Sequence, residues 1–197
     1  MYTAKQVSVC VPLGENRDAE IKRLMDAILA QTVQPLETIV EKGSSTYGNR
    51  NKAWKKAKGK VIWFLDSDII PQPDALERAL ELFTDDIAGV ECNIIGTITR
   101  VYEWGFMSGH ILYTKAAVKK VGGFDENFKD WRGDTDLAWS ILDAGGKIVY
   151  QPLSIAFHPG GSNTKVDMEK EKLLYDKHPE RYRQARAGNK LHCFIKD

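Results

Sequence analysis

Val61-Ile62-Trp63-Phe64-Leu65-Asp66-Ser67-Asp68 sets a run of apolar residues, without alternation, against two carboxylates. A short continuous apolar run suits a strand buried on both faces, as in a parallel sheet covered by helices. Side chains along a strand repeat every two residues, so Asp66 and Asp68 point the same way if the extended backbone continues past Leu65. Two carboxylates so placed repel each other. A hard divalent cation, Mg²⁺ or Mn²⁺, relieves that repulsion and brings phosphate oxygens with it. The carboxyl ends of strands in open α/β sheets are also where ligands bind. The competing reading is that both Asp open a turn towards Pro71 and Pro73, a role aspartate takes readily.

Working outward, strands and helices alternate. Val7 to Leu13 reads as a first strand, closed by Pro12 and Gly14. Arg17 to Gln31 carries Ile21, Leu24, Met25, Ile28 and Leu29 at the spacing of an amphipathic helix. Leu36 to Val40 is a second strand, and Gly43-Ser44-Ser45 a loop. Arg50 to Lys58 is a short basic helix with Ala53, Trp54 and Ala57 inward, stopped by Gly59. Pro73 opens a helix with Leu76, Ala79, Leu80 and Phe83 on one face. Such strand–helix alternation predicts an α/β fold with a mostly parallel, Rossmann-like sheet.

The pattern changes downstream. Ala88 to Val101 reads as one or two strands and Ile111 to Tyr113 as another. Ala116 to Val121 and Asp134 to Ala144 are helices, each ended by a Gly-Gly pair. Lys147 to Tyr150 and Ile155 to His158 are strands, followed by a loop over 159–163. The last stretch, Lys165 to Arg186, is a charged helical segment with a break at Pro179. The expected organisation is one domain over 1–197. About 1–100 form a nucleotide-binding half, about 101–164 a smaller α+β half completing the site, and about 165–197 a C-terminal helical segment.

Composition excludes several classes. The 197 residues are 43% hydrophobic and 28% charged, an ordinary globular balance. The net charge of +1 gives no argument for nucleic acid. Cys10, Cys92 and Cys193 are odd in number and far apart, without a CxxC pair, so neither a disulfide framework nor a zinc site is expected. A reducing, cytoplasmic compartment fits this usage. No apolar run reaches the ~20 residues that cross a bilayer, so membrane contact is expected to be peripheral at most.

A second acidic cluster, Gly133-Asp134-Thr135-Asp136, opens a helix. Carboxylates are welcome in a first helical turn, so Asp134 reads either as an N-cap or as a general base beside an entering hydroxyl. Asp136 reads as a partner to a nearby basic residue. His158 ends a strand, where imidazole is either structural or a ligand for a Mn²⁺-like ion. Arg50 lies nearest the expected helix start and can reach a phosphate. Trp104, Phe106 and Trp131 are core aromatics, or, if exposed, platforms for a sugar ring.

In this order the features resemble the GT-A glycosyltransferases, in particular the large inverting family 2. The resemblance rests on the first strand, Val7 to Pro12, and on Ala27 to Thr32. It continues in Asn49-Arg50-Asn51-Lys52-Ala53 through Lys60, the DxD at Asp66-Ser67-Asp68, Gly122-Gly123-Phe124-Asp125-Glu126, Gly133-Asp134-Thr135-Asp136-Leu137, and His158. It covers residues 7 to 160. It implies a metal-dependent, inverting transfer from a nucleoside-diphosphate sugar to a carbohydrate, glycoprotein or lipid-linked acceptor. Asp66, Asp68 and His158 would hold Mn²⁺ or Mg²⁺, and Asp134 would be the base. Pro12, Glu15, Glu41, Lys42, Arg50, Asp66 and Ser67 would border the donor, and Trp131, Gly133 and Asp136 the acceptor. The sequence departs from the family at Lys42, where an acidic residue is usual. An ammonium cannot accept from a base N–H, so no strong preference for uridine is expected. Gly133 also departs, standing where the family has an acidic residue.

Two rivals share the DxD. A haloacid-dehalogenase-like phosphohydrolase also places DxD after an apolar strand, but on its first strand, whereas two strand–helix units precede it here. A GT-A-shaped binding protein without turnover would not need both acidic clusters.

Overall fold

The computed structural model describes residues 1–96, 106, 109–159 and 166–187. The expectations at Trp104, Cys193, residues 97–101, the loop over 160–163 and Lys165 lie outside the described residues. The chain runs β1 (Val7–Leu13), α1 (Asp18–Leu29), β2 (Glu37–Lys42), α2 (Thr46–Lys56), β3 (Val61–Leu65), β4 (Ile70–Pro71) and α3 (Ala75–Glu81). It continues with β5 (Gly89–Gly96), β6 (His110–Thr114), α4 (Lys115–Lys120), α5 (Gly133–Asp143), β7 (Ile148–His158), α6 (Met168–Lys177) and α7 (Pro179–Arg186).

The strands form one sheet in the order β2-β1-β3-β6-β5-β7-β4. The α/β architecture is as expected; the sheet is mixed, with β2-β1-β3 parallel at one side. β6 enters antiparallel between β3 and β5, while β5 and β7 are parallel to each other. The two strands expected over 147–158 are one long strand. Its register against β5 slips between Cys92 and Asn93, so Pro152 to Ser154 bulge out and β7 continues unbroken to His158.

Period-two alternation sorts the core onto both sheet faces. Cys10, Ile62 and Phe64 point to one side, where they meet Ala53 and Trp54 of α2, Val118 of α4, Trp139 of α5, Leu174 of α6 and Ala185 of α7. Val7, Val9, Val11, Val61, Trp63 and Leu65 point to the other, against Leu24 and Ile28 of α1 and Leu76 and Ala79 of α3. Every residue of β3 is fully buried. At roughly 1.5–3 kcal/mol per large apolar side chain, this strand is the centre of the core. The same burial silences the cysteine chemistry: Cys10 and Cys92 are buried free thiols, and desolvation raises Cys92 to about 12.

One polar chain crosses the apolar layer. The Trp63 indole N–H donates to His110 Nδ1 at 3.0 Å, and His110 Nε2 lies 3.2 Å from Ser154 Oγ. The Ser154 hydroxyl in turn donates to the Ala75 carbonyl at 2.7 Å. His110 is therefore neutral with its proton on Nε2, and burial lowers its pKa to about 3.

α6 and α7 close over α5. The break expected at Pro179 separates them, and Asp167 caps α6 by accepting from Glu169 and Lys170 N–H. Among the described residues, no helix is long and apolar enough to cross a membrane.

Candidate active site

Three strand ends converge. Pairing of β1 with β2 sets Pro12 opposite Glu41 and Leu13 opposite Lys42, so these residues meet at one edge of the site. The Asn49 side chain donates to the Gly43 carbonyl at 3.0 Å, and the Gly43 N–H donates to the Leu13 carbonyl at 3.1 Å, which pins the turn after β2 to the end of β1. Glu41 is held by Lys56 at 2.5 Å. Lys42 is exposed and 4.0 Å from Asp18, and Glu15 lies in the exposed turn after β1.

β3 ends at Leu65, three residues earlier than the sequence pattern suggests. The Asp66 N–H still donates to the Gly109 carbonyl at 3.1 Å, but the extended form does not persist through Asp68, because the Ile69 N–H turns back to the Asp66 carbonyl at 3.2 Å. Asp66, Ser67 and Asp68 thus form a turn at the strand's carboxyl end. Gly109 leaves room there: a Cβ would lie 2.8 Å from Asp66 Oδ2 and 2.6 Å from Ile69 Cδ1, so those side-chain ends would have to shift.

The two carboxylates have different partners. Asp66 is ion-paired with Arg50, whose guanidinium is buried. Asp68 faces Arg17 Nη1 at 3.4 Å and His158 Nε2 at 3.7 Å. Burial and then the Asp66 charge raise the Asp68 pKa, against the opposing pull of His158 and Arg17. His158 reaches the site from the end of β7, where it pairs with Gly96.

α2 begins at Thr46, a turn earlier than expected, because Ser45 accepts from the Gly48 N–H at 3.0 Å. Arg50 therefore sits inside the helix rather than near its start. The added turn brings Tyr47 into the site. Tyr47 stacks on Phe124 at 5.4 Å, and the Arg50 guanidinium lies 5.6 Å from the Tyr47 ring and 5.5 Å from the Phe124 ring. Among the described residues, the buried Nε of Arg50 has no hydrogen-bond partner.

α5 presents the second acidic cluster. Its N-cap is Arg132, in the left-handed region at φ 65°, so Asp134 is not the cap. The Asp134 carboxylate accepts from the Thr135 N–H at 2.8 Å. Asp136 points inward, held by Lys177 at 2.7 Å and His178 Nε2 at 3.0 Å, which is the basic partnership expected of it. Phe106 and Trp131 are buried, so neither offers an open platform; the Trp131 indole N–H donates to Glu171 at 2.8 Å. Glu171 also takes Arg132 Nε at 2.6 Å and the Tyr182 hydroxyl at 2.8 Å.

Arg17, Tyr47 and Glu171 were not among the residues singled out from the sequence. Ser45-Thr46 offers a capping signal for Tyr47's helix, whereas nothing local marks Arg17 or Glu171.

Among the described residues no group of three or more His, Cys, Asp and Glu side chains is arranged as a complete metal site. Asp66 and Asp68 supply carboxylate oxygens of the kind Mn²⁺ and Mg²⁺ accept, and His158 an imidazole nitrogen that a transition ion such as Mn²⁺ takes more readily than Mg²⁺ does. Mg²⁺ in particular is commonly held by one or two carboxylates with substrate phosphates completing its shell.

The mixed seven-stranded sheet flanked by helices has the GT-A fold. The family description "Glycosyl transferase family 2" matches residues 41–139, and the chain belongs to that family. It is 25% identical to the pre-mycofactocin glycosyltransferase of Mycobacterium tuberculosis over 55% of this chain, and it spans only 29% of that relative's length. Among solved structures, S. aureus TarS 1-349 in complex with UDP-GlcNAc superposes at a TM-score of 0.69. It is 16% identical, with 93% of this chain and 71% of TarS 1-349 covered. The mannosyltransferase PcManGT from Pyrobaculum calidifontis, in complex with GDP-Man and Mn²⁺, superposes at 0.65 with 15% identity, covering 93% of this chain and 73% of PcManGT. The fold is common to this chain and the two solved structures.

Proposed function

We propose that this chain is a metal-dependent, inverting glycosyltransferase that uses a nucleoside-diphosphate sugar. The observation carrying the proposal is the chain of contacts that links the two acidic clusters through the buried Arg50 and Tyr47. Asp66 pairs with Arg50, Asp68 approaches His158, and Arg50 packs on Tyr47, whose hydroxyl reaches the first residue of α5, next to Asp134. The neighbours crystallised with UDP-GlcNAc and with GDP-Man and Mn²⁺ support a donor of this class.

In this reading Pro12, Glu15, Glu41 and Lys42 border the nucleoside, and Ser67 lines the donor between the two aspartates. Arg50 would present its guanidinium to a phosphate oxygen. Asp66, Asp68 and His158 would hold Mn²⁺ or Mg²⁺, which supplies Lewis-acid neutralisation of the diphosphate leaving group. Asp134 takes the proton of an acceptor hydroxyl as the acceptor oxygen bonds the anomeric carbon. The bond from that carbon to the diphosphate oxygen breaks on the opposite face, which inverts the centre. Trp131, Gly133 and Asp136 shape the acceptor side through the first turn of α5.

The test is calorimetric titration of a panel of UDP- and GDP-sugars with and without Mn²⁺, on wild type and Asp68→Ala. Binding that needs Mn²⁺ in wild type and is lost in Asp68→Ala supports the reading. Equal binding in the presence of EDTA, or an Mn²⁺ response that survives in Asp68→Ala, rejects the metal assignment.

A further inference from the structure

We propose that Tyr47 is a positioning residue for Asp134: its phenol oxygen does the work of an N-cap for α5, and its ring ties that cap to the Arg50–Asp66 pair. The proposal rests on the reading of Asp134 as the base.

The first N–H groups of a helix have no intrahelical acceptor and need a partner when buried. The residue in the cap position of α5, Arg132, offers no capping side chain. The Gly133 N–H donates instead to the Tyr47 hydroxyl at 3.0 Å, across 86 residues of sequence. The site is built for that approach. A Cβ at position 133 would lie 2.4 Å from the Tyr47 ring, so only glycine lets the phenol reach the helix start.

The neighbouring carboxylate gives the contact its chemical meaning. Asp134 follows Gly133 directly and already accepts from the Thr135 N–H at 2.8 Å. A carboxylate is a stronger acceptor for a helix-terminal N–H than a phenol. Were the Gly133 N–H left without its acceptor, Asp134 would be the group drawn towards it, out of the position that its Thr135 contact sets and away from an acceptor hydroxyl. Tyr47 prevents this by satisfying Gly133 with a neutral oxygen. Burial, followed by the Asp134 charge, holds the Tyr47 pKa well above its usual value, so the phenol stays neutral at any working pH.

The other end of Tyr47 is equally fixed. Its ring stacks on Phe124 and carries the Arg50 guanidinium, which pairs with Asp66. Donor phosphate arriving at Arg50 therefore packs down on the residue that holds the α5 start. Near-attack geometry is sensitive to displacements of about 1 Å, so a cap set from the donor side places the base where the donor is bound.

Tyr47→Phe keeps the ring and removes only the oxygen. The readouts are nucleoside-diphosphate release from the UDP- or GDP-sugar that binds with Mn²⁺, donor affinity by calorimetry, and melting temperature, on Tyr47→Phe, Asp134→Asn and the double variant. In Tyr47→Phe, kcat is expected to fall between about tenfold and a hundredfold, with donor affinity moving less than about twofold. In the Asp134→Asn background the same change should cost less than about twofold, because no base is left to misplace. Retained donor affinity reports that Tyr47→Phe is folded. A loss of the same size in both backgrounds overturns the proposal, and so does a wild-type kcat in Tyr47→Phe when Asp134→Asn is slow. A wild-type rate in Asp134→Asn overturns the proposal together with the base reading beneath it.

Discussion

Glu171 accepts the Arg132 guanidinium at 2.6 Å, so a helix outside the matched span of 41–139 holds the left-handed residue that starts α5. The same carboxylate takes the Trp131 indole N–H and the Tyr182 hydroxyl. Burial works to raise the Glu171 pKa, but the Arg132 hydrogen bond and charge and the other two donors outweigh it and hold it below its usual value. With Asp136 bound by Lys177 and His178, the first turn of α5 is fastened to α6 and to the α6–α7 junction at two points. α6 and α7 are thus a buttress for the site.

Removing one partner of a buried, hydrogen-bonded pair costs about 3–5 kcal/mol. Glu171→Ala is therefore expected to lower the melting temperature by roughly 10 °C, at ~2–4 °C per kcal/mol for a chain of this size. Sugar transfer should fall in parallel, since Arg132 would relax from its left-handed conformation. Differential scanning calorimetry alongside a transfer assay checks both. A melting point within about 2 °C of wild type would show that the ion pair does not hold α5, given the same scaling.

His110 gives the fold an acid-side liability. Its pKa lies near 3 in the folded chain and near 6.5 when unfolded. Between those values the unfolded state binds the extra proton, so stability is full above about pH 6.5 and falls as the pH drops towards 3. The slope from this group alone approaches ~1.4 kcal/mol per pH unit. Glutamine can accept from Trp63 and donate to Ser154 without titrating. His110→Gln should therefore show a shallower loss than wild type between pH 6 and pH 4 in urea titrations. Parallel curves for the two proteins over that window would remove His110 as the cause.

The elements that the sequence made legible are those whose reasons are local. The unbroken apolar run of Val61 to Leu65 marked β3, and Leu24 with Ile28 marked the buried stripe of α1. What stayed hidden depends on distant partners. β3 does not run on to Asp68 because the Ile69 N–H turns back to the Asp66 carbonyl, and β7 is one strand because its bulge is absorbed against β5. The site divides in the same way. The two acidic clusters, Arg50 and His158 were visible as residue types at strand and helix ends. Arg17, Tyr47 and Glu171 reach their partners across 51, 86 and 39 residues, distances over which no periodicity carries information.

Asp134→Asn is expected to separate binding from turnover. Arg132 occupies the cap position and Tyr47 satisfies the Gly133 N–H, so the stability of α5 does not rest on an Asp134 cap. The amide oxygen of asparagine can still accept from the Thr135 N–H as the carboxylate does. The melting temperature should therefore hardly change. What the variant loses is basicity. General-base catalysis contributes about 10²- to 10⁴-fold, so transfer should fall by that factor. Donor affinity should stay near wild type, because Arg50, Asp66 and Asp68 are untouched. Rate, donor affinity and melting temperature measured on one preparation check all three. A normal rate would transfer the base role to another group. Asp136 is poorly suited to take it, because its carboxylate is buried between Lys177 and His178.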